Sequence, residues 1–110
     1  MSFGKFIFGF ALLVFNAAAL AQTYAPNYSE KIEADNGATY AVDLKSARRF
    51  AAGVEAGVYD EGRGGIIPMY FDCAGHIGEL GGPMSYVAPR SVGAQLAAIA
   101  CAEANRHPER

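Results

Sequence analysis

The chain has no tryptophan, only two cysteines and two histidines among its 110 residues, and no excess of either charge worth the name, with a formal balance of −2. Each scarcity excludes something. Weak net acidity with scattered charges leaves no basic stripe for nucleic acid or an anionic membrane surface. Two cysteines are too few for a thiolate cage of the structural zinc type. A Gly-x-Ser-x-Gly elbow, a phosphate-binding Gly loop ending in Lys-Ser/Thr and a His-Glu-x-x-His pair are all missing, which removes the commonest legible signatures of hydrolases, nucleotide-binding enzymes and metalloproteases. The length supports one small domain and no multidomain machinery.

What is present begins with an export signal. Lys5 supplies the positive start, Phe6 to Leu20 an apolar stretch, and Ala19-Leu20-Ala21 a small-residue end. This is the pattern of a cleavable signal peptide over residues 1–21, cut before Gln22. Roughly 20 apolar residues span a bilayer; this stretch is shorter and is interrupted by Gly9 and Asn16, so cleavage is expected rather than retention as an anchor. No cysteine follows Ala21 to take a lipid. The exported part is therefore expected to be periplasmic or secreted, with no membrane contact after cleavage. Cys73 and Cys101 both lie in that part, and two cysteines in a small exported domain pair in an oxidising space. The expected structural disulfide is worth roughly 3.5 kcal/mol by loop entropy.

Along the chain, residues 22–30 carry no periodicity and read as a flexible leader, and residues 31–105 as a single α+β domain. Asn36-Gly37 is the favoured pair for a tight type I′ hairpin. In the strand that follows, Tyr40, Val42 and Leu44 share one face. Lys45 to Phe50 fits one helical turn or a wide loop. Gly53 to Tyr59 reads as a strand weakened by Gly57, and residues 60–65 as a turn. Ile66 to Cys73 is the strongest strand pattern, with Ile67, Met69, Phe71 and Cys73 on one face; Pro68 predicts an edge or a strand start. A short strand around His76–Leu80, a loop and a strand at Ser85–Ala88 complete the sheet. Ser91 is a good N-cap for a helix from Val92 to Asn105, and residues 106–110 form a charged tail. Val92, Leu96 and Ile99 form one helical stripe, yet Cys101 points about half a turn away from Val92. Either the alanine face packs on the sheet, or the last turn unwinds.

The expected fold is thus α+β: a small antiparallel sheet of four or five strands with one C-terminal helix, stapled through Cys73 and Cys101. Candidate chemistry is sparse. Cys73-x2-His76 and Cys101-x5-His107 invite a zinc reading, but the ligand types alternate and a disulfide would use both sulfurs. A nucleophilic Cys73 with His76 as base needs a free, activated thiol. Neither catalytic residues, nor metal ligands, nor a cofactor is expected. Tyr40, Tyr59, Tyr70 and Tyr86 all fall in strands, where tyrosine serves packing or, on an exposed sheet face, protein contact.

The order Tyr40-Ala41-Val42-Asp43-Leu44-x-Ser46, then Tyr70-Phe71-Asp72-Cys73, then Pro89-x-Ser91 ahead of a helix reaching Cys101 resembles the surface-adhesin protein E-like family of small exported bacterial domains. The likeness covers roughly residues 31–101. It implies an antiparallel sheet, a C-terminal helix joined to it by a disulfide, and, for some members, binding of host proteins. The leading expectation is a non-enzymatic, adhesin-like protein-binding module using a sheet face or the loops at 60–65 and 76–85. A periplasmic inhibitor of a secreted hydrolase is the competitor, and a zinc-binding or thiol enzyme the third class.

Overall fold

A computed structural model describes residues 26–110; the expected signal peptide and the first residues of the leader lie outside them. The chain runs β1 (Ile32–Glu33), β2 (Thr39–Val42), a 3-10 turn (Leu44–Ser46), β3 (Arg48–Phe50), β4 (Gly53–Asp60), β5 (Gly65–Phe71), β6 (His76–Glu79), β7 (Ser85–Tyr86) and α1 (Val92–Arg106). Among the described residues all seven strands belong to one antiparallel sheet, in the order β1-β2-β4-β5-β6-β7, with β3 paired to β4 beside that path. That corrects the expected four or five. The additional strands β1 and β3 are two and three residues long, too short to show a period of two; β7 is the strand expected at Ser85–Ala88, reduced to Ser85–Tyr86.

The edge of β4 is shared. β2 pairs with its second half, Tyr40 to Val42 facing Asp60 to Val58, and β3 with its first, Arg48 to Phe50 facing Glu55 to Gly53. Between them the 3-10 turn leaves the sheet, and Ser46 Oγ accepts the Gly57 N–H at 2.7 Å while the Gly57 carbonyl takes the Asp43 N–H at 2.8 Å. Lys45 to Phe50 is thus a helical turn and a strand in succession. The hairpin at Asn36-Gly37 is also not type I′. Only Gly37 has positive φ, at 85°, and its N–H returns to the Ala34 carbonyl at 2.9 Å. This is a type I turn followed by a left-handed glycine, the three-residue hairpin loop.

Pro68 sits inside β5, opposite Gly57 on β4. Its ring nitrogen faces the β6 side, where the ladder covers only Met69 to Phe71 and the Pro68 carbonyl accepts the Leu80 N–H at 2.9 Å. The missing donor therefore falls where β6 ends, so β5 is interior along one half and an edge along the other.

The helix packs on β1 through β5, on the side where the core lies. Phe71 and Val42 are fully buried there with Val54, Ala56 and Val58. From the helix come Leu96, Ala100 and Ala104, so the alanine face is the packing face. Small side chains let the helix axis approach the sheet, and Cys101 then lies at the rim of the contact with no unwinding; α1 stays helical to Arg106. Ser91 caps it as expected, its Oγ accepting the Ala94 N–H at 3.2 Å. The disulfide Cys73–Cys101 spans 6.1 Å between Cα atoms, within the ordinary range, and ties the end of β5 to α1.

Both ends of the domain are more tightly fastened than their composition implies. Tyr28 bridges to Asp43, and Ser29 N–H donates to the Val42 carbonyl at 2.8 Å, so residues 26–30 of the expected flexible leader lie along β2. In the expected tail, Arg110 Nη1 donates to the carbonyls of Leu44 at 2.7 Å and Ala47 at 3.2 Å. Neither attachment has a periodic signature: one is a single bridge, the other a side chain reaching backbone.

Candidate functional site

Alternation along the strands sorts the sheet into two faces. Val54, Ala56 and Val58 of β4 face the helix, which sends Glu55, Gly57 and Tyr59 outward. On β5 the same parity sends Ile66, Pro68 and Tyr70 outward, opposite Tyr59, Gly57 and Glu55 respectively. The outer face of β5 should be polar if solvent were its only neighbour. It is apolar instead, and Ile66 is 46% exposed.

The surrounding elements extend this surface. Leu80, just beyond β6, is 40% exposed beside Pro68. Phe50 of β3 is exposed and meets Tyr70 edge-on, ring centroids 6.2 Å apart. Tyr28 meets Tyr59 with the rings tilted at 45° and their centroids 5.3 Å apart; Ala41, the cross-strand partner of Tyr59, is buried. Glycines flatten the middle. A Cβ on Gly57 would fall 2.7 Å from Ile66 Cγ2, and one on Gly53 would fall 2.2 Å from the Phe71 carbonyl oxygen. Over Gly57 and Pro68 runs a shallow trough of about 410 Å³, with Ile66 and Leu80 on one side and the ion pair of Arg48 and Glu55 on the other. A contiguous apolar patch flanked by a charged pair is the composition of a contact surface rather than of a solvated sheet face.

The tyrosines singled out by their strand positions therefore divide. Tyr59 and Tyr70 lie on the outer face, Tyr40 packs against the core, and Tyr86, 68% exposed, opposes His76 at the far edge. Sequence reasoning missed Ile66, Leu80 and Phe50 as surface residues. For Ile66 the signal was there: β5 is apolar at both parities, and the single helix expected over the sheet covers only one of its faces.

The cysteine and histidine candidates are not brought into one cluster. Both sulfurs are in the disulfide. His76 turns to Asp72, with Nδ1 2.8 Å from Oδ2. His107 lies at the other end of α1 between Glu103, 3.3 Å from Nε2, and Glu109, 3.1 Å from Nδ1. The Glu109 carboxyl is held below its usual range, first by a backbone N–H and then by His107. Among the described residues, no three His, Cys, Asp or Glu side chains converge as a metal site, and no helix is long and apolar enough to cross a membrane. The loop at 60–65 is a tight turn, with Asp60 Oδ1 accepting the Gly62 and Arg63 N–H groups.

The fold and this face define a disulfide-stapled α+β domain with an apolar outer sheet surface. No family model matches the chain, and neither does any curated protein or solved structure.

Proposed function

We propose that the protein is an exported, non-enzymatic protein-binding module, periplasmic or secreted after loss of residues 1–21, that holds its partner on the outer face of the sheet. The observation that carries this reading is the exposure of Ile66, Leu80 and Phe50 on the same side as Tyr59 and Tyr70, while the core occupies the opposite side. The disulfide is in keeping with an oxidising space outside the cytoplasm. The partner is a protein because the surface is broad and shallow, rich in aromatic and aliphatic groups, with the Arg48–Glu55 pair at its margin; small ligands need deeper concavities. This reading extends the resemblance to the protein E-like adhesins, which rests on sequence motifs alone.

The face takes precedence over an inhibitory loop. The turn at 61–64 is folded back on Asp60, and that after β6 closes through the Gly82 N–H on the Glu79 carbonyl at 2.8 Å, so neither offers a protruding plug. Charge substitution tests the assignment. Ile66→Lys with Leu80→Lys should keep the melting temperature of the parent and abolish recovery of its partner from the exported fraction. Ala98→Lys, on the exposed side of α1, should leave recovery intact. Retention by the double variant, or loss by Ala98→Lys alone, would sink the proposal.

A further inference from the structure

On the opposite side of the sheet, the first turns of α1, strands β4 to β6 and Tyr40 of β2 line an open cleft of about 480 Å³. Its walls are apolar: Ile67, Met69 and Ile77 from the sheet, and Val92 and Leu96 from the helix. All but Leu96 remain only half-buried, so the core is incompletely closed here. Gly93 lets the helix lie this close to the sheet, since a Cβ there would fall 2.7 Å from Val87 Cγ1 and 3.0 Å from Ile77 Cδ1. The size and lining are those of a site for a small apolar ligand.

The mouth is charged, and with both signs. Arg63 lies across it, Nη1 3.0 Å from Glu79 Oε1 and Nε 3.7 Å from Asp60 Oδ2. Arg63 and Glu79 are both more than half exposed, and exposed pairs of this kind contribute little. Exchanging their mutual contact for contacts to a ligand therefore costs little. An anionic head would meet Asp60 and Glu79, and a cationic head Arg63. A head that presents an anion to Arg63 and a cation to Glu79 satisfies both. We propose that this cleft binds one single-chain zwitterionic amphiphile, its chain lying along Ile67, Met69 and Ile77, its phosphate on Arg63 and its ammonium on Glu79. The site is separate from the outer face and does not depend on the function proposed for it.

The probe is dodecylphosphocholine, kept below its micelle concentration and titrated into protein recovered from the exported fraction, with calorimetry and amide chemical shifts as readouts. Dodecyl maltoside supplies the same chain with an uncharged head. Saturable one-to-one binding is expected, with shifts at Ile67, Ile77 and Val92. Arg63→Ala should weaken the phosphocholine ligand at least tenfold and leave the maltoside unaffected. Val92→Phe, which fills the cleft, should weaken both; its melting temperature checks that the fold survives. Absence of saturable binding, equal affinity for the two heads, or shifts centred on Ile66 and Leu80 would each overturn the assignment.

Discussion

Asp72 and His76 close the turn that carries Cys73. The Asp72 N–H donates to the His76 carbonyl at 3.1 Å, and Asp72 Oδ1 accepts the N–H groups of Ala74 at 2.8 Å and His76 at 2.9 Å. The second carboxylate oxygen faces the imidazole at 2.8 Å. Within this loop Cys73 holds a left-handed φ of 63°, a conformation that costs a residue with a Cβ about 1–2 kcal/mol. One carboxylate thus organises the backbone from which the disulfide departs.

That carboxylate makes stability depend on acidity. The Ala74 and His76 backbone N–H groups, ahead of the contact with the His76 ring, hold the Asp72 carboxyl below its ordinary value of 3.8. As pH falls through that ordinary value the unfolded chain takes up the proton first. The contribution of Asp72 is therefore complete above it and is lost as pH drops toward the depressed folded value. Urea unfolding of the parent and Asp72→Asn from about pH 6 to about pH 2 should show a gap that is constant at the upper end and closes below about pH 4. A gap that persists undiminished into strong acid would rule out this origin.

Removing the staple should be costly. Replacing both cysteines, Cys73→Ser with Cys101→Ser, frees two positions 28 residues apart in sequence and should lower unfolding free energy by about 3–4 kcal/mol if the native geometry is unchanged. Denaturant titration of the double variant and of the reduced parent should agree. If both melt like the oxidised parent, the bond does not carry the domain.

The glycines of β4 should differ in their tolerance of alanine. At Gly53 the added carbon would meet the backbone carbonyl of Phe71 at 2.2 Å, whereas at Gly57 it would meet a side-chain atom, the Cγ2 methyl of Ile66, at 2.7 Å. Gly53→Ala is expected to destabilise by about 1–3 kcal/mol, as overpacking does, and Gly57→Ala by less. Thermal melts that rank the two the other way would contradict the register of β4 against β5.

Much of this architecture is legible in the residues because it rests on local chemistry. Ser91 and an alanine-rich segment announce α1; the alternation of Ile67, Met69 and Phe71 announces β5; the two cysteines announce each other. The elements that were not legible depend on partners distant in sequence. β3 follows a 3-10 turn and is joined to β4 by Ala51-Ala52, a pair with no turn signature although Ala51 has φ of 52°. Tyr28 and Arg110 hold the ends of the domain through contacts to residues 43, 44 and 47. The outer face lay between these cases: its tyrosines were visible as strand residues, but Leu80 and Phe50 join it only once β6 and β3 are in register.

The role of the outer face is most directly tested by site-specific photo-crosslinking. A photoreactive side chain would replace Leu80 on that face and, separately, Ala98 on the exposed side of α1, and the protein would be irradiated in its own exported milieu. One discrete heterologous adduct is expected from position 80, competed away by unlabelled parent but not by the Ile66→Lys, Leu80→Lys variant, and none from position 98. An adduct confined to position 98, or none from position 80, would contradict a binding role for this face.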